Sequence, residues 1–364
     1  MKPLTKKLAL PLAAAVALLS ACSGSDSGGS GTERLQWASY LGPKGADTVA
    51  AQKIIERVET ATDGSLTIDL AHSGSLLAGP DILAGVKSAR ADIGTTSYIY
   101  HPGELPLSHV VNVPYVTSNI PAQSRAFQEL GSDNTAFKDE YEKQGLKLLY
   151  IWVVGEPVMG CKKPITSYDD LKGLKVATGG LVAKAYEAAG ATVVTVPASD
   201  YRDSLERGLV DCWGTLPLDV VADLGLADVT ANIYDFGYQN YGHFSAVMDL
   251  NRWNGLSDEH RAAIETAIDE TLADIVAITD STNARGCKAI QTSPATFERL
   301  DDSVISAWKE DAEPAVASGF FKMAKATGAD GEAFLPQYRA AVEDAEAEFA
   351  DYESALSRCI AGTL

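Results

Sequence analysis

The chain has 364 residues, with 49 acidic side chains against 30 basic ones and a formal net charge of −19. That balance, without any basic run, excludes nucleic acid as an expected partner. The length allows two domains with cores of their own, and no stretch beyond the first twenty residues is apolar enough to span a bilayer.

In chain order, Lys2, Lys6 and Lys7 precede an apolar run, Leu8 to Leu19, that is too short for a membrane span. Leu19-Ser20-Ala21-Cys22 and a Gly/Ser stretch to Gly31 follow. This resembles a bacterial lipoprotein signal. It implies cleavage after residue 21, lipid attachment at Cys22, a tether over 22–32 and an extracytoplasmic protein held on the cell membrane. Removing 21 of 364 residues leaves 343, and losing the three lysines moves the charge from −19 to −22.

Leu35 to Ser39 reads as a strand and Ala46 to Thr62 as an amphipathic helix ended by Gly64. Leu66 to Leu70 is a second strand, Asp81 to Ala89 a short helix, and Ala91 to Gly94 enters a third strand. Leu146 to Val154 is an apolar strand leaving this first unit. A second alternation follows: a strand ending at Val176, a helix opening at Gly179-Gly180, a strand Thr192–Val196, a helix Asp200–Gly208 and a strand from Leu209. Phe244 to Leu250 reads as a returning strand. Ser257 to Cys287 carries one long, nearly unbroken helical pattern, and further helices fall near Ser303–Thr327 and Gly331–Ile360. The predicted class is α/β: two units joined by crossing strands into a hinged two-domain clam. Domain I is expected over 33–154 and 243–290, domain II over 155–242, and C-terminal helices packing across both over 291–364. The cleft between the halves is the expected site.

Cys161, Cys212, Cys287 and Cys359 remain beside Cys22, an even number that predicts disulfides in an exported protein, with three pairings open. Neither cysteine nor histidine spacing suggests a metal or cofactor, and no Gly-x-Ser-x-Gly elbow suggests a hydrolase.

Several motifs occur together: Ala71-His72-Ser73-Gly74-Ser75-Leu76-Leu77, then Val86-Lys87-Ser88-Ala89-Arg90-Ala91-Asp92-Ile93-Gly94 and Val113-Pro114-Tyr115. Lys163-Pro164-Ile165, Asp170 to Val176 and Leu205-Glu206-Arg207-Gly208-Leu209-Val210-Asp211 follow. In order and spacing they resemble the DctP-type solute-binding proteins of TRAP transporters, over nearly the whole mature chain. The resemblance implies a two-domain clam like the periplasmic binding proteins, with a long helix, Ser257 to Cys287, spanning both domains, and a non-enzymatic receptor that delivers a small solute to a permease of small and large membrane subunits. It also implies Cys161 paired with Cys212, and Cys287 with Cys359.

The departures from that pattern concern the ligand. An arginine usual in the family is replaced by Ala177. A second, frequent on the crossing strand, is replaced by Pro157 in Gly155-Glu156-Pro157. The family's asparagine falls at Thr215, and a glycine has become Cys212. Lys184 and Arg202 are possible substitute cations, both expected on helix surfaces. A buried carboxylate without a paired cation is costly, so a small amine, a quaternary ammonium or a neutral solute is expected. The alternatives are an organic acid held by a relocated cation, or a sensor role. Candidate ligand contacts are Tyr40, Asp81, Ser97, Tyr98, Glu156, Ala177, Gly180, Trp213, Thr215, Tyr238 and Tyr241: carboxylates to neutralise an ammonium and rings to cover it. Trp37, Trp152 and Tyr100 read instead as packing in cores or crossings. Micromolar affinity needs about 8.2 kcal/mol, hence about six heavy atoms at the best ligand efficiency.

Overall fold

The computed structural model describes residues 32–364. The signal, Cys22 and the Gly/Ser stretch to Gly31 lie outside the described residues. The chain runs β1 (Glu33–Ser39), α1 (Ala46–Ala61), β2 (Leu66–Ala71), α2 (Ile82–Lys87), β3 (Ile93–Ser97), α3 (Ile120–Asp133), α4 (Thr135–Glu142) and β4 (Leu146–Val154). It continues through β5 (Val158–Cys161), β6 (Lys175–Ala177), α5 (Ala183–Ala188), β7 (Thr192–Val194), α6 (Tyr201–Glu206), β8 (Cys212–Leu216), α7 (Leu218–Asp223) and β9 (Asn232–Asp235). Then come β10 (Gly242–Asp249), α8 (Leu250–Asn254), α9 (Asp258–Ala273), α10 (Ile275–Gln291), β11 (Thr296–Arg299), α11 (Asp302–Ala326), α12 (Gly331–Glu346) and α13 (Ala355–Ala361).

Two mixed sheets define two lobes. The first has the order β2-β1-β3-β10-β4, and the second β11-β9-β5-β8-β6-β7. Strand β10 follows the second lobe's β9 in sequence, yet it inserts antiparallel between β3 and β4 of the first. The chain therefore crosses between sheets at β4–β5 and again at β9–β10. It crosses a third time through α10, because β11 pairs in parallel with β9 from Thr296↔Asn232 to Arg299↔Asp235. The segment after 291 thus opens with a strand, not a helix. Thr296-Phe297-Glu298-Arg299 is short and mostly exposed, so it carries little of the apolar pattern that marks a strand.

The second sheet is covered on both faces. Val176 faces the core that contains Tyr186, Phe236 and Trp308, while Ala177 faces the one that contains Tyr201, Trp213 and Val221. This is the two-residue alternation of a strand. The helix expected over Ser257–Cys287 is two helices, interrupted at Asp274. Lys53 and Arg57 of α1 hold the Asp274 carboxylate at 3.3 and 2.8 Å. The interruption falls where the chain changes neighbours, from α1 along α9 to α7 along α10. Gly180 has φ +65°, outside the helical region, and α5 starts only at Ala183.

Two disulfides are formed, Cys161–Cys212 and Cys287–Cys359. The first joins register partners on β5 and β8, and the second ties α10 to α13. Such links typically contribute about 2–4 kcal/mol by restricting the unfolded chain.

Candidate functional site

A cavity of about 450 Å³ has walls from both lobes. Leu41 to Asp47, at the carboxyl end of β1 and the start of α1, form one side. Leu216, Pro217, Asp219, Val220 and Asp223, at the carboxyl end of β8 and along α7, form the opposite side. Trp152 to Gly155, Tyr241 and Phe244 come from the crossing strands, and Thr279, Thr282 and Asn283 from α10. Both sheets thus present the carboxyl ends of strands to the cavity, the usual ligand position in open α/β sheets.

The chemistry of the walls is acidic and aromatic. Asp47, Asp219 and Asp223 supply carboxylates, and Lys44 is the basic side chain among the described lining residues. Arg285 engages Asp223. Asp47 is buried, and burial pushes its carboxyl up to about 7 despite hydrogen bonding from Tyr150 and Thr95. The Tyr150 hydroxyl donates to Asp47 Oδ1 at 3.3 Å, and Trp37 Nε1 donates to Thr95 Oγ1 at 3.0 Å. Asp47 is thereby fixed through one oxygen, while its Oδ2 is buried without a partner. The Thr279 hydroxyl, on the same cavity, is buried and unpartnered too. Both atoms are enclosed by the protein, with almost no surface open to the cavity. Asp219 is also held above the ordinary carboxyl range, first by burial and then by the charge of Asp223.

Among the ligand contacts expected from sequence, Tyr241 lines this cavity. Burial raises its phenol well above the ordinary value, so it presents a neutral ring. Tyr40 stands behind the wall, edge-on to the lining ring of Phe244 at 6.3 Å, with Ser97 hydrogen-bonded to its phenol. Trp152, expected in a core or a crossing, is buried on the crossing strand β4 and lies on the wall.

The remaining candidates lie elsewhere. Glu156 turns to Ser118, whose hydroxyl donates at 2.6 Å, although its neighbour Gly155 lines the cavity. Tyr98 is a core residue between His109 and His243, with ring centroids 4.6 Å from each. Its hydroxyl donates to the Tyr241 carbonyl at 3.2 Å. Tyr238 is buried and donates to the Asn112 carbonyl at 2.9 Å. Thr215 bonds Tyr186 at 3.0 Å. Asp81 and Gly180 are exposed away from the cavity.

Ala177 and Trp213 are also core residues and are register partners on β6 and β8. Trp213 donates Nε1–H to Thr230 at 2.8 Å and lies over Gly160, where an added Cβ would fall 2.4 Å from the ring. The indole fills the space beside the two small residues, so no room is left beside residue 177 for a guanidinium. Neither substitute cation reaches the cavity. Lys184 pairs with Glu187 at 2.7 Å, and Arg202 donates to the Gly225 carbonyl at 2.5 Å. Asp47 and Asp219 went unnoticed in the sequence. The available signal was positional: each is an acid in the first turn of a helix that follows a strand.

Two lobes joined by crossing strands around an acidic, ring-lined cavity define a solute receptor of the periplasmic-binding type. Residues 38–323 match the family model described as bacterial extracellular solute-binding protein, family 7. The chain belongs to that family and is a TRAP-type extracytoplasmic solute receptor, a class that binds small solutes and works with a membrane permease. It is 26% identical to an ectoine-binding periplasmic protein of Halomonas elongata over 82% of this chain and 87% of that one. It is 29% identical to an ectoine/5-hydroxyectoine-binding periplasmic protein of Ruegeria pomeroyi over 80% and 85%. A TRAP periplasmic solute-binding protein from Desulfovibrio salexigens superposes with a TM-score of 0.76 at 25% identity, covering 87% of this chain and 97% of that one.

Proposed function

We propose that this receptor captures a small solute carrying a positively charged nitrogen and delivers it to its permease, held at the membrane by a lipid on Cys22. One observation carries the ligand class. Asp47, Asp219 and Asp223 line the cavity against Lys44 as the basic residue, and Trp152, Tyr241 and Phe244 stand around the same space. Carboxylates in a partly desolvated space favour a cation. Aromatic faces each add about 0.5–2 kcal/mol to a nearby cation.

Two relatives bear ectoine in their names. Ectoine is a cyclic amidinium that also carries a carboxylate, and Lys44 on the wall is placed to meet a carboxylate. Cations and zwitterions of this kind are therefore the first solutes to test. The cavity holds about fifteen water-sized volumes at about 30 Å³ each, ample for a solute above the six-heavy-atom bound.

A thermal-shift panel separates the classes, since a ligand of the folded state raises the unfolding temperature. Ectoine, agmatine, choline, succinate and glucose are the probes. Stabilisation by one or more of the first three supports the reading. Stabilisation by succinate alone instead supports an organic-acid receptor built on Lys44.

A further inference from the structure

The chain crosses between the lobes once more near its C-terminus. Helix α12 belongs to the first lobe, where Phe334, Leu335, Tyr338 and Val342 share a core with Leu35, Ile54 and Phe127. The grip on that side continues past the helix. The Thr117 hydroxyl donates to Glu346 at 2.5 Å, and the side-chain amide of Asn119, the cap of α3, donates to the Phe349 carbonyl at 2.9 Å. Tyr352 packs against the same core. By Leu356 the chain is in the second lobe's core, with Trp213, Val221 and Ile290. The Cα steps from Tyr352 to Leu356 span at most about 14 Å, so the crossing carries little slack.

The far end of this crossing is α13, only seven residues long. An isolated helix needs about 12–15 residues to persist, so α13 depends on what it is fastened to. Three links fasten it to α10. Cys359 is bonded to Cys287 with Cα atoms 5.7 Å apart, Gln291 Nε2 donates to the Cys359 carbonyl at 3.0 Å, and Arg358 pairs with Asp280. That end of α10 belongs with the second lobe. Gly286 lies so close to α7 that an added Cβ would fall 2.2 Å from the Leu218 carbonyl carbon, and Cys287 and Ile290 are in the second lobe's core.

We propose that residues 346–361 form a strap that limits how far the lobes swing apart, and that the Cys287–Cys359 bond is what makes the strap hold. The cavity has walls from both lobes, so a solute enters when they separate. The strap runs beside the β4–β5 crossing, where Ser118 donates to Glu156 at 2.6 Å and Ser354 lies close enough to affect the same carboxyl. There it adds a short connection next to the strands about which the lobes turn. Hydrogen bonds and one ion pair on a seven-residue helix can let go one at a time, whereas a covalent link cannot. Both sulfurs are buried, so the strap is a standing part of the fold. The other disulfide supplies the contrast. Cys161 and Cys212 are register partners within one sheet, so that bond braces the second lobe and leaves movement between the lobes untouched. The strap acts whatever solute the cavity takes.

Small-angle X-ray scattering of the unliganded receptor tests the proposal with wild type and three variants. One is Cys287→Ala with Cys359→Ala. A second inserts four glycines between Tyr352 and Glu353, which slackens the strap and keeps the disulfide. The third is Cys161→Ala with Cys212→Ala. The first two are expected to show a larger radius of gyration and a broader distance distribution than wild type. The third is expected to melt at a lower temperature with the wild-type radius. Wild-type radii in the first two, with native circular dichroism, overturn the proposal, as does equal opening in the third. Should the first variant fail to fold, the insertion decides alone: a larger radius supports the strap, and an unchanged one overturns it.

Discussion

Asp47 and Glu156 are buried carboxyls that burial pushes up to about 7, and their surroundings differ. Asp47 is braced by Tyr150 and Thr95 and lies on a cavity with rings around it. Glu156 sits in the β4–β5 crossing, bonded to Ser118 and influenced by Ser354, Asp235 and Arg299. A perturbed carboxyl is a candidate functional group, but titration alone does not separate these two. Position does: Asp47 is among the residues lining the cavity, whereas Glu156, which also keeps an unpartnered buried oxygen, is not.

The sharpest way to break the comparison is to neutralise each acid. Asp47→Asn keeps the shape and removes the charge, and we expect at least a tenfold loss of affinity for ectoine or agmatine by calorimetry, or about 1.4 kcal/mol or more. Equal affinity in the variant would remove Asp47 from the site.

The pH dependence has a definite sign. In the unliganded receptor the Asp47 carboxyl ionises only near 7. A bound cation favours the ionised form and lowers that value, so binding expels a proton below about pH 7. Affinity for a cation should fall up to about tenfold per unit as the pH drops below 7, and flatten above it. A neutral probe should show no such slope.

Restoring the family's arginine tests the other side of the cleft. Ala177→Arg forces a long charged side chain into the packed space beside Trp213. We expect a loss of stability of at least about 1–3 kcal/mol from overpacking, read as a lower denaturation midpoint, with no gain of succinate binding. A stable variant that binds succinate would show that the space was open after all.

Glu156→Gln should change cation affinity least, by less than about threefold. Its signature is in stability. A carboxyl raised from about 4.3 in the unfolded chain to about 7 in the fold supports folding at low pH, and that support is lost as the pH rises through 7. Wild type should therefore lose stability between pH 5 and 8, and the neutral Glu156→Gln variant should lose less; thermal melts at the two pH values read this directly.

Most of the fold was legible because its signals are local. Alternation marked β2, a continuous apolar run marked β4, β1 and β10 read as strands from their own residues, and glycine marked the end of α1. The stretch from Ile99 to Gly145 was harder. It begins with irregular structure, including a six-residue 3₁₀ turn from Leu107 to Asn112. Its two helices announce themselves mainly through caps, Asn119 accepting from Ala122 N and Asn134 from Phe137 N. The long helical pattern was real, but its interruption at Asp274 depends on Lys53 and Arg57, more than 200 residues away in sequence.

The site was less legible than the fold. That the usual arginine was missing could be read from one letter, but the reason could not: Trp213 and Gly160 fill and shape the space beside Ala177 only once three strands are aligned. Glu156 was a reasonable choice by charge, but its carboxyl turns to Ser118 and does not line the cavity. Tyr98 and Tyr238 were likewise chosen as rings near strand ends, and both are spent on packing and backbone carbonyls within the lobes. Asp47 was hidden inside a helix read for its apolar stripe.

The most direct test is calorimetric titration of wild type and Asp47→Asn with agmatine and with ectoine at pH 6 and pH 8. The expected result is tighter binding at pH 8 than at pH 6 in wild type, and weak binding without that slope in the variant. Equal affinities and equal pH slopes in the two proteins would contradict a cation site built on Asp47.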